Sequence, residues 1–216
     1  MSTSTTSTTS TTNRVIDPRP ILDRAIATAG TVIAGVGPDQ LAAPTPCPDM
    51  NVRAMLGHLV GVLGRIAALA NGEDPFSVIE TQASDDNWLA TWELAGAHAA
   101  DAWRDDTVLE RPMALPWIQG TGADVLSSYF SELTVHTWDL AVATGQRVDW
   151  DDTVVTAALE ARRILPAENR RALFEQISAA MGLDVVNVPF AEAVPVSADA
   201  PAIDRLVAWN GRDPHR

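Results

Sequence analysis

Ser131-Glu132-Leu133-Thr134-Val135-His136-Thr137-Trp138-Asp139-Leu140 is the stretch on which the fold turns. Glu132 and His136 are four residues apart, so on a helix they share one face, a turn from each other. At 100° per residue that face also collects Val125, Tyr129, Val135, Asp139, Leu140 and Ala143. Ser127, Ser131, Thr134 and Thr137 fall opposite. The carboxylate and the imidazole therefore point into the core. A buried, unpaired carboxylate is costly, so a positive partner has to meet it.

Working outward, the spacing predicts a helix over 123–144 that ends at Gly145. Before it, Ile21, Leu22, Ala25, Val32, Ile33 and Val36 recur at helical spacing, and Gly37-Pro38 stops that first helix. Residues 38–50 hold four prolines and read as a linker, with Asp49 or Asn51 available to cap the next helix. That second helix, over 51–70, puts Met55, Leu59, Val62, Ile66 and Leu69 on one stripe, with His58 and Arg65 on it, and Asn71-Gly72 closes it. A third helix over 84–105 turns Trp88, Trp92, Ala95, Ala99 and Trp103 inward. Residues 106–123, with two prolines and two glycines, read as a loop with a short extended piece at Met113-Ala114-Leu115. Asp151-Asp152 opens a fifth helix to about Leu165, and Pro166 opens a sixth to about Met181. Extended irregular chain is expected over 184–199, then a short helix from Ala202 to Asn210 stopped by Gly211. The fold class is all-α: a four-helix bundle with additional short C-terminal helices and an extended C-terminal segment.

The 216 residues are 46% hydrophobic, enough to bury one core. Residues 14–216 are expected to form that domain, behind a polar Ser/Thr-rich tail over 1–13 that cannot offset its own ordering entropy. The net charge of −13 argues against nucleic acid and anionic membrane as partners. All fifteen basic residues are Arg, which removes Schiff-base chemistry and a P-loop lysine. Ala25–Pro38, the longest uncharged apolar-rich run, is too short to cross a bilayer. The N-terminus lacks the basic start and apolar stretch of a secretory signal. A single cysteine, Cys47, fits a reducing cytoplasm.

Two helices thus offer inward polar groups: His58 on one, Glu132 and His136 on the other. Bundle cores build metal sites from side chains on facing helices. Two nitrogens and one oxygen suit Zn²⁺ and leave a coordination position open, although Fe²⁺, Mn²⁺ or Ni²⁺ could use the same donors. The same three groups admit a second account, a hydrogen-bonded core in which Glu132 pairs with His136 or with Arg65. Asp139, one turn beyond His136, is placed to orient that imidazole; its alternative is an ion pair with Arg65 or Arg53. Arg65 could bind a substrate carboxylate as a fork, or pair with Asp139 or Glu132. Cys47 reads as a buried structural thiol, His98 as an edge residue, His215 as part of a tail, and Asp101, Asp105 and Asp106 as a solvated face.

Three segments, DQLAAPTPCPDMNVRAMLGHLVG (39–61), HTWDLAVATGQ (136–146) and VPVSADAPAIDRLVAWNGRDP (194–214), carry a resemblance to a known family. The chain resembles actinobacterial DinB-like metal-binding proteins related to the N-terminal domain of mycothiol-dependent maleylpyruvate isomerase. The resemblance implies a DinB-like four-helix bundle binding a divalent metal, usually zinc, with ligands at His58, Glu132 and His136. It also implies a low-molecular-weight thiol such as mycothiol as co-substrate and an electrophilic small molecule as acceptor, in a cytoplasmic monomer or homodimer. Two functions follow. One is a zinc- and thiol-dependent transferase or isomerase with Arg65 steering an anionic substrate. The other is a non-enzymatic metal-binding bundle with a structural or sensing role, which a fourth protein ligand such as His98 or Asp139 would favour.

Overall fold

The computed structural model describes residues 17–79, 81, 83–180, 182, 184, 186, 188 and 190–215. The tail expected over 1–13 lies outside the described residues. Among those described, the chain forms α1 (Arg19–Ala34), α2 (Val52–Asn71), α3 (Trp88–Ala102), α4 (Asp106–Glu110), β1 (Pro112–Leu115), β2 (Ile118–Thr121), α5 (Gly122–Ala143), α6 (Asp152–Ala161), α7 (Arg170–Ala180) and α8 (Ala202–Trp209). Helices α1, α2, α3 and α5 make the bundle. α2 packs between α3 and α5, and α1 packs between the same two on the other side. α6 lies on α5 and α1, and α8 packs on α6 and α5.

Local chemistry fixes the helix ends. The Asn51 side chain accepts the Ala54 amide at 2.9 Å and starts α2, so Asn51 rather than Asp49 is the cap. Gly72, at φ 76°, closes α2 in the left-handed conformation. Thr121 and Asp124 form a reciprocal capping box at the start of α5, the Asp124 carboxylate accepting the Thr121 amide at 2.8 Å. Asp151 caps α6 through the Thr153 and Val154 amides.

α2 is the only described helix long and apolar enough, by length and composition, to cross a membrane, and it is mostly buried in the bundle. Gly57 matters there: a Cβ at that position would stand 2.7 Å from the Thr81 carbonyl oxygen, so only glycine lets the following loop cross the helix beside His58. Trp88, Trp92, Trp103 and Trp138 are buried, as expected of core residues. Two of them also find polar partners, Trp103 Nε1 donating to the Ile66 carbonyl at 2.8 Å and Trp92 Nε1 to that of Ile26 at 3.1 Å.

The structure corrects four local expectations. The third helix begins at Trp88 rather than near residue 84, because Ser84–Asn87 form a turn and Asp85 is drawn away to pair with Arg53. Residues 106–123 are more than a loop: the extended piece expected at Met113-Ala114-Leu115 is present as β1, but it pairs with β2 in an antiparallel hairpin, Pro112 with Thr121 and Leu115 with Ile118, and α4 precedes it. Pro166 does not open the sixth helix, which starts at Arg170 after Asn169 takes φ 61°. The Ser/Thr face of α5 is covered as well, with Ser131, Thr134 and Thr137 all buried. Thr134 and Thr137 tolerate this because their hydroxyls donate to the carbonyls four residues back, each at 2.7 Å.

The C-terminal segment carries no regular element before α8 among its described residues, as expected. It is clamped instead. The buried Arg170 guanidinium donates to the carbonyls of Pro166, Ala191 and Trp209, and the Glu192 carboxylate accepts the Arg170 amide at 2.9 Å. This clamp ties the C-terminal segment and the end of α8 to the start of α7.

Candidate metal centre

α5 carries three of the relevant groups and α2 the fourth. Of residues 129–141, only Glu132 is not buried; its side chain is 21% exposed. His136 is fully buried and His58 nearly so. The His58 Nε2 and Glu132 Oε1 atoms are 3.3 Å apart, and the two imidazoles meet edge to face at 4.9 Å. One donor atom from each of His58, Glu132 and His136 lies within 4.8 Å of the others. The three residues singled out in the sequence are therefore brought together.

Asp139 sets the state of His136. Its Oδ2 lies 2.9 Å from His136 Nδ1, so the hydrogen-bond network assigns the proton to Nδ1 and leaves the Nε2 lone pair facing His58 and Glu132. That Nε2 is buried with no hydrogen-bond partner among the described residues. Burial pushes the His136 pKa down; the hydrogen bond to Asp139 opposes this without reversing it. The neutral ring, with Nε2 bare, is the form that ligates a metal. Burial pushes the Glu132 carboxyl up, but its hydrogen bond to His58 and the charges of His58, His136 and Arg65 outweigh that, and it is held below its ordinary value.

Asp139 in turn meets Arg212, not Arg65 or Arg53. Arg212 Nη2 donates to Oδ2 at 2.8 Å and Nε to Oδ1 at 3.1 Å, a fork on a fully buried carboxylate. Burial raises the Asp139 pKa, and the bonds to His136 and Arg212 more than reverse that, so it stays ionised. Phe190 stacks on the His136 ring at 5.3 Å, and the Arg212 guanidinium lies over Phe190, also at 5.3 Å. Arg212 and Phe190 escaped the sequence reading. Neither sits in a periodic segment, and the only signal was a charged residue just beyond the Gly211 helix stop.

Arg65 is half-buried and makes no hydrogen bond or ion pair among the described residues; its charge acts on Glu132 and Tyr129 through space. His98 is exposed on α3 and is not part of the donor cluster, and His215 is exposed as well. Asp101, Asp105 and Asp106 are exposed. Cys47 is buried, its thiol pushed up by that burial. Its sulfur falls within 4.8 Å of donor atoms of His136 and Asp139, but Asp139 is already engaged by His136 and Arg212.

Tested against a metal, the cluster fits. Zinc bonds of about 2.0–2.2 Å in tetrahedral geometry set donor atoms roughly 3.3 Å apart, the separation of His58 and Glu132. Above Glu132 and Phe190 opens a mainly apolar cavity of about 150 Å³, walled by Trp117 from the hairpin tip and Phe174 from α7. Among the described residues no fourth donor joins His58, Glu132 and His136, and Asp139 is taken by His136 and Arg212.

This is a mainly helical DinB-like bundle with a three-donor cluster on facing helices. The family model of the mycothiol maleylpyruvate isomerase N-terminal domain matches residues 22–141, and the chain belongs to that family. It is also similar to two uncharacterized proteins of Mycobacterium tuberculosis, from strains CDC 1551 / Oshkosh and ATCC 25618 / H37Rv. Each is 29% identical over 200 residues, covering 91% of this chain and 98% of the relative. No solved structure matches the chain.

Proposed function

We propose that the chain binds one divalent ion, Zn²⁺ in the first instance, through His58, Glu132 and His136, and serves as a thiol-dependent transferase or isomerase. The observation that carries this reading is the bare, buried Nε2 of His136, held toward His58 and Glu132 by the Asp139 bond on the opposite nitrogen. A zinc ion in such a site supplies Lewis acidity that favours the thiolate form of a thiol at neutral pH. The protein's own groups do the rest. Asp139 holds the Nδ1 proton of His136, and Arg212 neutralises Asp139. Phe190 covers the ring and keeps water from it. Arg65, free of hydrogen-bond partners among the described residues, is available to an anionic group of the substrate.

The family relationship supports mycothiol as the thiol. One buried free cysteine and the net charge of −13 suit a cytoplasmic protein. The absence of a fourth ligand among the described residues supports an enzyme over a purely structural ion. The test is thiol consumption. Purified protein is mixed with mycothiol, or with glutathione as a control, and a panel of electrophiles, with and without prior chelation. Consumption that disappears on chelation and returns with Zn²⁺ is the expected result. Rates unchanged by chelation would refute the reading.

A further inference from the structure

The cleft above Glu132 is lined by large apolar side chains that the fold leaves partly uncovered. Trp117 at the hairpin tip, Ile164 and Leu165 in the turn after α6, Phe174 and Ile177 on α7, and Phe190 in the C-terminal segment all border it, and each is only half-buried. Phe174 and Ile177 are three residues apart, so they share one face of α7. Neither packs into the hydrophobic core; that face borders the cleft instead. Apolar groups from separate parts of the chain thus converge on one water-exposed surface. A contiguous apolar surface of this kind marks a place where something binds.

The charged and polar groups around the cleft narrow the occupant. The one described cation that lines it, Arg162, is engaged: its guanidinium donates to the Leu159 carbonyl and lies 5.4 Å from the Trp209 ring centre. Glu132 adds a carboxylate, which disfavours an anion. Asn210, 1% exposed, donates from Nδ2 to the Leu206 carbonyl at 2.9 Å and to Ser131 Oγ at 3.3 Å, so these polar groups are turned to one another. What the cleft offers is apolar, with aromatic rings at Trp117, Phe174 and Phe190. Such rings bind another aromatic through offset-stacked or edge-to-face contacts. The surface is also continuous with the metal cluster, because Phe190 stacks on His136 and Glu132 belongs to both.

We propose that this cleft is the specificity site for an uncharged aromatic group, carried by the electrophilic substrate and seated against Trp117 and Phe174. The assignment of that group to the electrophile rests on the function proposed above; the aromatic site itself does not. A dicarboxylate acceptor finds no free cation here among the described residues.

Fluorescence titration of the full chain with N-phenylnaphthylamine, an uncharged aromatic probe that brightens in apolar surroundings, tests it. Saturable binding is expected, weakened about tenfold by Trp117→Ala and by Phe174→Ala, the factor that burial against a large apolar side chain confers. Leu94→Ala, which removes a 74% exposed side chain on α3, should leave binding unchanged. Chlorodinitrobenzene, an uncharged aromatic electrophile, should displace the probe, and maleate should not. No saturable binding, binding that survives both cleft substitutions, an equal loss in Leu94→Ala, or displacement by maleate as readily as by chlorodinitrobenzene would overturn the proposal. If one cleft variant does not fold, the other decides. Repeating the titration after chelation, beside the thiol-consumption assay, separates the two readings. Probe binding that depends on Trp117 in protein without thiol activity upholds the site and leaves the enzyme reading to fall alone. Metal-dependent thiol consumption by a protein whose cleft ignores the probe refutes the site alone.

Discussion

The bundle helices and the C-terminal segment contribute to one site in opposite ways. α2 and α5 provide the three donor groups from regular, capped helices, and all three donors lie within residues 22–141 matched by the family. The segment from Phe190 to Arg212 lies beyond that match and is largely irregular. It nevertheless supplies the ring that covers His136, the guanidinium that neutralises Asp139, and the amide bonded to Ser131. The difference shows how labour divides between scaffold and supplement. Helix periodicity can aim several donors at one point, whereas fixing a buried carboxylate and shaping a cavity need groups that arrive from outside the bundle.

That division fails if Arg212 is dispensable. Arg212→Met leaves Asp139 buried and uncompensated, and should cost about 3–5 kcal/mol in chemical denaturation. Replacing Asp139 by Asn in the same chain should restore most of the loss. The acid limb has a definite sign. Asp139 is held below the ordinary carboxylate range, so its contribution is complete above about pH 4 and fades only as the pH falls through the lower folded value. Without Arg212 the group takes up its proton at higher pH, and acid unfolding should begin earlier. An unchanged acid limb would place the support of Asp139 elsewhere.

Asp139→Asn alone sharpens the comparison from the helix side. It should weaken metal binding by roughly 10- to 100-fold without abolishing it, because the group orients the imidazole and does not touch the ion. Isothermal titration with Zn²⁺ reads this directly.

Cys47 provides a smaller effect. Burial in the core and an elevated pKa should keep the native thiol unreactive toward iodoacetamide at neutral pH, with full labelling once the chain unfolds. Rapid native labelling would mean that the loop before α2 opens. His98→Ala should be the least consequential, shifting stability by no more than about 0.5 kcal/mol, since the residue is exposed.

Much of the bundle was legible in the sequence because its signals are local. Apolar residues at helical spacing, Asn51 as a cap and Gly72 as a stop each act within a turn or two of chain. The convergence of His58, Glu132 and His136 followed from the same periodicity. The short hairpin did not, since its prolines and glycines carry the composition of a loop while its pairing is set by the α4 and α5 ends it joins. The buried Ser/Thr face of α5 was equally silent: side-chain bonds to carbonyls one turn back make polar residues fit a covered surface, and α6 supplies the cover. Arg212 and Asn210 act across 73 and 79 positions in the chain, a separation that periodicity does not address.

The central claim is that one metal ion joins α2 to α5 through His58, Glu132 and His136. Native mass spectrometry of the purified chain, with elemental analysis to name the ion, tests it most directly. The account predicts one divalent ion per chain, retained in His98→Ala and lost in His136→Ala. Metal-free protein of full thermal stability that takes up no added Zn²⁺, or an ion that survives His136→Ala, would contradict it.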